Sequence, residues 1–126
     1  MNHKTGAVNR VFVYGTLMTG QPANHYLDGG TCLGRYVLQN YAMYHLGSYP
    51  GILPQAGESV LGEVYEIPES LWAQMDEYEG EGSLYHRRHV TVEQDGKPLE
   101  VQVYIYARSV EGCPLMREPW DHANPF

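Results

Sequence analysis

The chain reads as an α+β protein, a mixed sheet or small barrel with flanking helical pieces, and three observations predict this. About six segments have strand character, one segment has a clear helical period, and that helix falls between the fourth and fifth strands. A doubly wound fold would need strands and helices in regular alternation, which this order lacks. At 126 residues the chain is long enough to bury a core without disulfides or metals. Residues 1–126 are therefore expected to form a single domain, with a core over about 10–108 and a tail over 109–126.

Each element has a local reason. Arg10 to Tyr14 is an apolar run suited to a buried first strand, and it stops abruptly at Gly15. Gly15 to Gly30 reads as a loop with a short helical piece over Ala23 to Leu27. Thr31 to Gln39 and Tyr41 to Leu46 read as two strands joined by a tight turn at Gln39-Asn40. The glycines and prolines between Gly47 and Pro54 predict a shaped, irregular loop carrying Tyr49. Val60 to Ile67 resumes as a strand. Pro68-Glu69-Ser70 then opens a helix, because proline suits a first turn and a carboxylate there complements the dipole. Leu71, Trp72, Met75 and Tyr78 give that helix its apolar stripe, and Gly80 is placed to end it. Leu84 to Glu93 and Leu99 to Ala107 form a hairpin across an Asp95-Gly96 turn. In its second strand Val101, Val103 and Ile105 face the core, while Gln102, Tyr104 and Tyr106 face a semi-polar side. The tail from Gly112 to Phe126 has no periodicity, so it either wraps the surface or lies loose.

Composition excludes several classes of function. Hydrophobic residues at 43% and charged residues at 18% are globular values, so whole-chain disorder is not expected. A net charge of −7 argues against nucleic acid as the main partner, since neutralising phosphates needs a basic surface. The first ten residues are polar and basic with no apolar stretch behind them, and no later run approaches membrane-spanning length, so a cytoplasmic protein without membrane attachment is expected. Cys32 and Cys113 sit in no CxxC and read as two buried free thiols. None of the six histidines has metal-ligand spacing, and His86 and His89 fall on opposite faces of a strand, so no metal and no other cofactor is expected. Eleven tyrosines against two phenylalanines are unusual; tyrosine gives apolar area with a hydroxyl at its rim, suited to a pocket for a small polar ligand or to a half-solvated sheet.

Two motifs carry the chemistry. In Val11 to Leu17 a strand runs into a glycine turn, which frees backbone N–H groups to receive a negatively charged or polarised oxygen. In Met75-Asp76-Glu77-Tyr78-Glu79-Gly80 an acidic run closes a helix, where carboxylates oppose the dipole. Asp76 and Glu79 are three apart and neighbours on a helix, so mutual repulsion or burial would raise one pKa toward neutrality. Solvation of a helix end is the plain alternative for Asp76, Glu77, Glu79 and Glu81 alike. Tyr85, Arg87 and His89 share a face of the next strand; Tyr85 could wall a pocket, and Arg87 could pair with Asp76 or with a substrate carboxylate.

Taken in order, Tyr14-Gly15-Thr16-Leu17, Gly47-Ser48-Tyr49-Pro50-Gly51, Gly62-Glu63-Val64-Tyr65, and Asp76-Glu77-Tyr78-Glu79-Gly80 followed by Tyr85-His86-Arg87 resemble the γ-glutamylcyclotransferase-like family. The likeness is to its short, AIG2-like members related to γ-glutamylamine cyclotransferase, and it runs from about Val11 to Ala107. It implies a compact mixed β-barrel and a metal-free reaction in which a γ-glutamyl amide loses its amine and closes to 5-oxoproline. It places the anchoring loop on Tyr14, Gly15, Thr16 and Leu17 and the catalytic carboxylate on Glu79; the residues themselves add Tyr49, Tyr85 and Arg87, with Tyr104 and Tyr106, as further substrate-binding candidates. Where many members carry a basic residue after the loop motif, this chain has Met18-Thr19, so no charged side-chain contact is implied there. The partner implied is a small γ-glutamyl compound. A non-catalytic binding domain for a glutamate-like ligand, and a hydrolase or acyl transferase using the same pocket, remain the alternatives. The oligomeric state is not specified by these features.

Overall fold

A computed structural model describes residues 9–120. Strands β1 (Arg10–Val13), β2 (Thr31–His45), β3 (Pro50–Glu66), β4 (Tyr85–Gln94), β5 (Lys97–Tyr106) and β6 (Leu115–Met116) form one sheet in the order β3-β1-β5-β4-β2-β6. An additional pairing of β2 with β3 closes the first five into a barrel and leaves β6 as an outer edge on β2. Only β1 and β5 run parallel, through Val11↔Gln102 and Phe12↔Val103, so the barrel is mixed. One α-helix, α1 (Leu71–Glu79), and a 3-10 turn over Asn24–Leu27 lie among the described residues. The core is built by Val11, Phe12, Ile52, Val64, Val101 and Val103, all essentially sealed from solvent.

Closure depends on two long strands that bend. The Thr31–His45 and Pro50–Glu66 strands pair along nearly their whole length, with register breaks between Cys32 and Gly34 and between Gln39 and Tyr41. At the second break Asn40 takes φ 66° and its side-chain oxygen accepts the Gly57 N–H at 3.2 Å, which holds a bulge. Bulges increase local twist and let a strand turn a barrel corner. Gln39-Asn40 is therefore a bulge inside one strand, not the tight turn between two that its sequence suggests.

The region Gly47 to Pro54 is likewise more regular than predicted. The reversal is confined to Leu46 through Tyr49, closed by the Leu46 N–H to the Tyr49 carbonyl at 3.0 Å, and Pro50 to Pro54 belong to β3. Pro50 opens its strand and Pro54 stands next to the bulge, two places where a ladder tolerates a residue without N–H. Gly51 is required by a close approach, since a Cβ there would lie 2.9 Å from the Tyr106 side chain.

Other expectations hold. Asp95 and Gly96 both take positive φ, 52° and 78°, as a two-residue Asp-Gly hairpin turn demands. Gly80 ends α1 in the left-handed conformation, with the Gly80 N–H on the Glu77 carbonyl and the Glu81 N–H on the Asp76 carbonyl. On the side of β5 that carries Gln102, Tyr104 and Tyr106, Tyr104 is buried and bonded to Asp76 of α1, while Gln102 and Tyr106 are half-buried. The tail wraps: Leu115 and Met116 pair with Tyr44 and Met43, Arg117 bonds Glu58, and Trp120 is buried against the His45 ring. The thiols differ from expectation, Cys32 being exposed and Cys113 half-buried, though both are free. Residues 121–126, with His122, and the polar residues 1–8 lie outside the described residues. Among the described residues no helix is long and apolar enough to cross a membrane, and no cluster of three or more His, Cys, Asp or Glu could hold a metal ion.

Candidate active site

The end of β1 and the end of α1 meet at a cavity of about 170 Å³. Its walls are Phe12 through Leu17, Tyr49, Pro50, Tyr78, Glu79, Leu84, Tyr85 and Tyr104. Of the residues singled out from sequence, Tyr14, Gly15, Thr16, Leu17, Tyr49, Glu79 and Tyr85 all border it.

The loop side is built as a pinned turn. The Met18 N–H bonds the Gly15 carbonyl at 3.0 Å, the Ala23 N–H bonds the Thr16 carbonyl at 2.9 Å, and Asn24 Nδ2 donates to the Leu17 carbonyl at 2.9 Å. Thr19 secures the exit, its N–H on Glu63 Oε1 at 2.8 Å. With its carbonyls so occupied, the loop leaves the N–H groups of Gly15, Thr16 and Leu17 without an acceptor among the described residues. Gly15 does not take positive φ; it is needed because a Cβ would come within 2.7 Å of the Pro50 ring. Met18, where a basic residue stands in many members of the family resembled, is buried in the core.

The helix side supplies the carboxylate. As the last helical residue before the Gly80 cap, Glu79 is fixed by the terminating turn, and Leu84 and Tyr85 are drawn against it by bonds from their N–H groups to the Gly80 carbonyl. Enclosure by apolar and aromatic walls pushes the Glu79 pKa up from 4.5 to about 8, although part of the residue's surface still faces the cavity. No cation and no second carboxylate contributes appreciably to that rise.

Tyrosines close the rest. Tyr14 donates to the Tyr104 carbonyl at 2.6 Å, Tyr85 donates to the Pro50 carbonyl at 2.7 Å, and Tyr104 donates to Asp76 Oδ1 at 2.6 Å. Burial raises the pKa of all three, with the Glu79 charge adding to the rise. Tyr78 and Thr16 share a hydrogen bond of 2.8 Å that bridges the helix and the loop.

Arg87 is placed behind this wall. Its guanidinium lies 4.4 Å over the Trp72 ring and donates to Asp76 Oδ2 at 3.0 Å, so of the two roles open to it the pairing with Asp76 is the one formed. Glu77 and Glu81 face solvent, and Glu81 Oε2 accepts the Arg87 N–H at 3.3 Å. Tyr106 does not border the cavity but packs edge-on against Tyr85 at 5.5 Å. Tyr78 and Leu84 are among the wall residues that the sequence did not single out. Tyr78 reads as part of an apolar stripe, and only its place beside Glu79 hints otherwise; Leu84 gives no signal before the Gly80 turn is known.

The closed mixed barrel with one flanking helix is the fold of AIG2-like proteins. The model of the family described as gamma-glutamyl cyclotransferase, AIG2-like, matches residues 11–122, and the chain belongs to that family. It is 37% identical over 107 residues to the gamma-glutamylcyclotransferase family protein YtfP of Citrobacter rodentium, covering 85% of this chain and 90% of that one. It is 40% identical over 116 residues to the gamma-glutamylaminecyclotransferase of Bos taurus, covering 82% and 68%. Among solved structures, an AIG2-like protein from Mus musculus superposes with a TM-score of 0.79 at 28% identity, covering 93% of this chain and 90% of that one. The solution structure of YtfP from Escherichia coli gives 0.68 at 32% identity, covering 88% and 94%. Membership supports γ-glutamylcyclotransferase chemistry as the general class.

Proposed function

We propose that this single-domain protein releases an amine from a γ-glutamyl amine or amide and forms 5-oxoproline by internal attack of the α-amine, with no metal or cofactor. The observation that carries this reading is one carboxyl, Glu79, held near pKa 8 in a cavity whose opposite wall offers free loop N–H groups. That value lies in the range of an α-amino group, about 8, so proton exchange between the two is nearly balanced.

The steps balance through one residue. Glu79 as carboxylate takes a proton from the α-ammonium, and the neutral amine adds to the γ-carbonyl while the π electrons move to oxygen. Glu79 passes its proton to the leaving nitrogen, and the oxyanion electrons reform the carbonyl as the carbon–nitrogen bond breaks with its pair on that nitrogen. The regenerated carboxylate then removes the extra proton from the new ring nitrogen and hands it to the departing amine. Nucleophile and electrophile share one molecule, so correct positioning contributes up to roughly 7 to 11 kcal/mol without an enzyme nucleophile. The N–H groups of Gly15 to Leu17 serve the substrate carboxylate or the developing oxyanion.

A cavity of about 170 Å³ is small beside drug-sized pockets of roughly 300–1,000 Å³, so it suits a γ-glutamyl head with the amine outside. Tyr49 and Tyr78, the large exposed apolar residues among those described, would meet that amine at the mouth. A cytoplasmic setting fits two unpaired cysteines, one of them exposed.

The test is a panel of γ-glutamyl amines and amino acids read by mass spectrometry for 5-oxoproline, with an N-acetylated γ-glutamyl amide and a β-aspartyl amide included. Internal attack needs a free amine and a five-membered ring, so both controls should keep their amine. Release from the N-acetyl compound at a comparable rate would mean an external nucleophile and a hydrolase; release from none would mean a binding domain.

A further inference from the structure

Resting on the γ-glutamyl reading, we propose that the Asp76–Arg87 ion pair is a positioning device which makes the Tyr104 hydroxyl an acceptor for the substrate's α-ammonium group.

The argument is an inventory of protons. A tyrosine hydroxyl has one proton to donate and lone pairs to accept. Tyr104 gives its proton to Asp76 Oδ1, and Tyr85 gives its proton to the Pro50 carbonyl, neither of which can donate in return. Both residues line the cavity, and any capacity their hydroxyl oxygens keep for a ligand is that of an acceptor. Tyr14 is similarly committed to the Tyr104 carbonyl. With Glu79, the Tyr104 and Tyr85 oxygens would supply the three acceptors that an ammonium group can use. Once Glu79 has taken one proton, the two tyrosine oxygens still hold the two N–H bonds that remain.

The direction of the Tyr104 proton is set by its partner, since Asp76 accepts it at Oδ1 while Arg87 occupies Oδ2. Its guanidinium is held by stacking on Trp72 at 4.4 Å, with a weaker contact to Gln102 at 3.4 Å, and it takes the Asp76 oxygen that Tyr104 leaves open. In Asp76→Asn the amide oxygen must face Arg87, because the guanidinium only donates, so the amide NH₂ faces Tyr104. The Tyr104 proton would then turn toward the cavity and oppose an ammonium group.

The test compares two probes: γ-glutamyl methylamide as substrate, and its desamino analogue, the methylamide of glutaric acid, as a competitive inhibitor. Asp76→Asn should raise KM for the first by about tenfold or more, the scale of a hydrogen bond to a charged group, and leave inhibition by the second within about twofold. Tyr104→Phe should show the same selectivity, and Asp76→Asn added to Tyr104→Phe should cost nothing further. Equal weakening of both probes, or of neither, would overturn the assignment in favour of a structural ion pair. Should Asp76→Asn not fold, Tyr104→Phe alone decides by the same ratio. If the wild type releases no methylamine, the γ-glutamyl reading itself falls and takes this inference with it.

Discussion

Asp76 and Glu79 leave the same turn of α1 and meet opposite surroundings. Asp76 points to the side where Arg87 and Tyr104 supply a cation and a hydroxyl, so it is matched in charge and hydrogen bonding. Glu79 points to a side lined by Tyr14, Leu84 and Tyr85, where burial alone acts and lifts its pKa to about 8. Two carboxylates one turn apart thus differ because of their partners and not because of their own chemistry. One has both oxygens engaged by partners, and the other is shifted by burial toward neutrality. A helix end can thus hold an ion-paired carboxylate and an unpaired, enclosed one side by side.

The largest expected effect comes from removing the reactive member. Glu79→Gln should keep the fold and the cavity while lowering turnover by roughly two to four orders of magnitude, the scale of general acid-base work. Single-turnover rates with a γ-glutamyl amide check this, and a folded Glu79→Gln protein with near-normal turnover would remove Glu79 from the chemistry. Gly15→Val should come next. Its branched side chain would drive into the Pro50 ring, 2.7 Å from the Cβ position, and force the loop N–H groups out of place, so ligand binding measured by calorimetry should be lost even where the protein folds. Binding that survives Gly15→Val would show that the loop N–H groups are not the anchor.

The contrast also predicts stability. A carboxyl whose pKa is raised on folding favours the native state at low pH, and that advantage is lost as pH climbs from the unfolded value near 4.5 to the folded value of about 8. At roughly 1.4 kcal/mol per pH unit, the penalty reaches several kcal/mol above pH 8. Glu79→Gln removes it. The Gln variant should therefore match the wild type near pH 4.5 and gain on it steadily toward pH 8, as read by urea denaturation at a series of pH values. A stability difference independent of pH would mean that Glu79 titrates as an exposed acid.

Much of this was legible in sequence, and the rest was not for identifiable reasons. The helix from Leu71 to the Gly80 cap, the Asp95-Gly96 hairpin and the β1 strand follow from local periodicity and turn chemistry, which act over a few residues. The bend at Asn40 and the strand through Pro50-Gly51 do not, since what makes them regular is the partner strand and the approach of Tyr106. The same division applies to the cavity. Glu79 and the Tyr14 to Leu17 loop stand out as motifs, whereas Tyr78 and Leu84 become wall residues only when the helix end and β1 are brought together. The residue chemistry of Asp76 and Glu79 did not separate them, and only the family resemblance favoured Glu79, because the enclosure of Glu79 and the pairing of Asp76 with Arg87 arise from distant parts of the chain.

The smallest effect separates the loop's backbone from its side chain. Thr16 contributes a hydroxyl that shares a 2.8 Å hydrogen bond with Tyr78 across the mouth of the cavity, and Thr16→Ala deletes it while leaving the N–H groups of residues 15–17 in place. A neutral hydrogen bond of this kind contributes about 0.5–1.5 kcal/mol, so if the backbone anchors the ligand, kcat/KM should fall by about tenfold at most. Tyr78→Phe removes the same bond from the helix side and should fall by a similar amount. A loss from Thr16→Ala far larger than from Tyr78→Phe would mean that the threonine hydroxyl itself holds the ligand. The loop would then work as Asp76 does, through a side chain with a fixed partner, and the division between a backbone wall and a carboxylate wall would have to be redrawn.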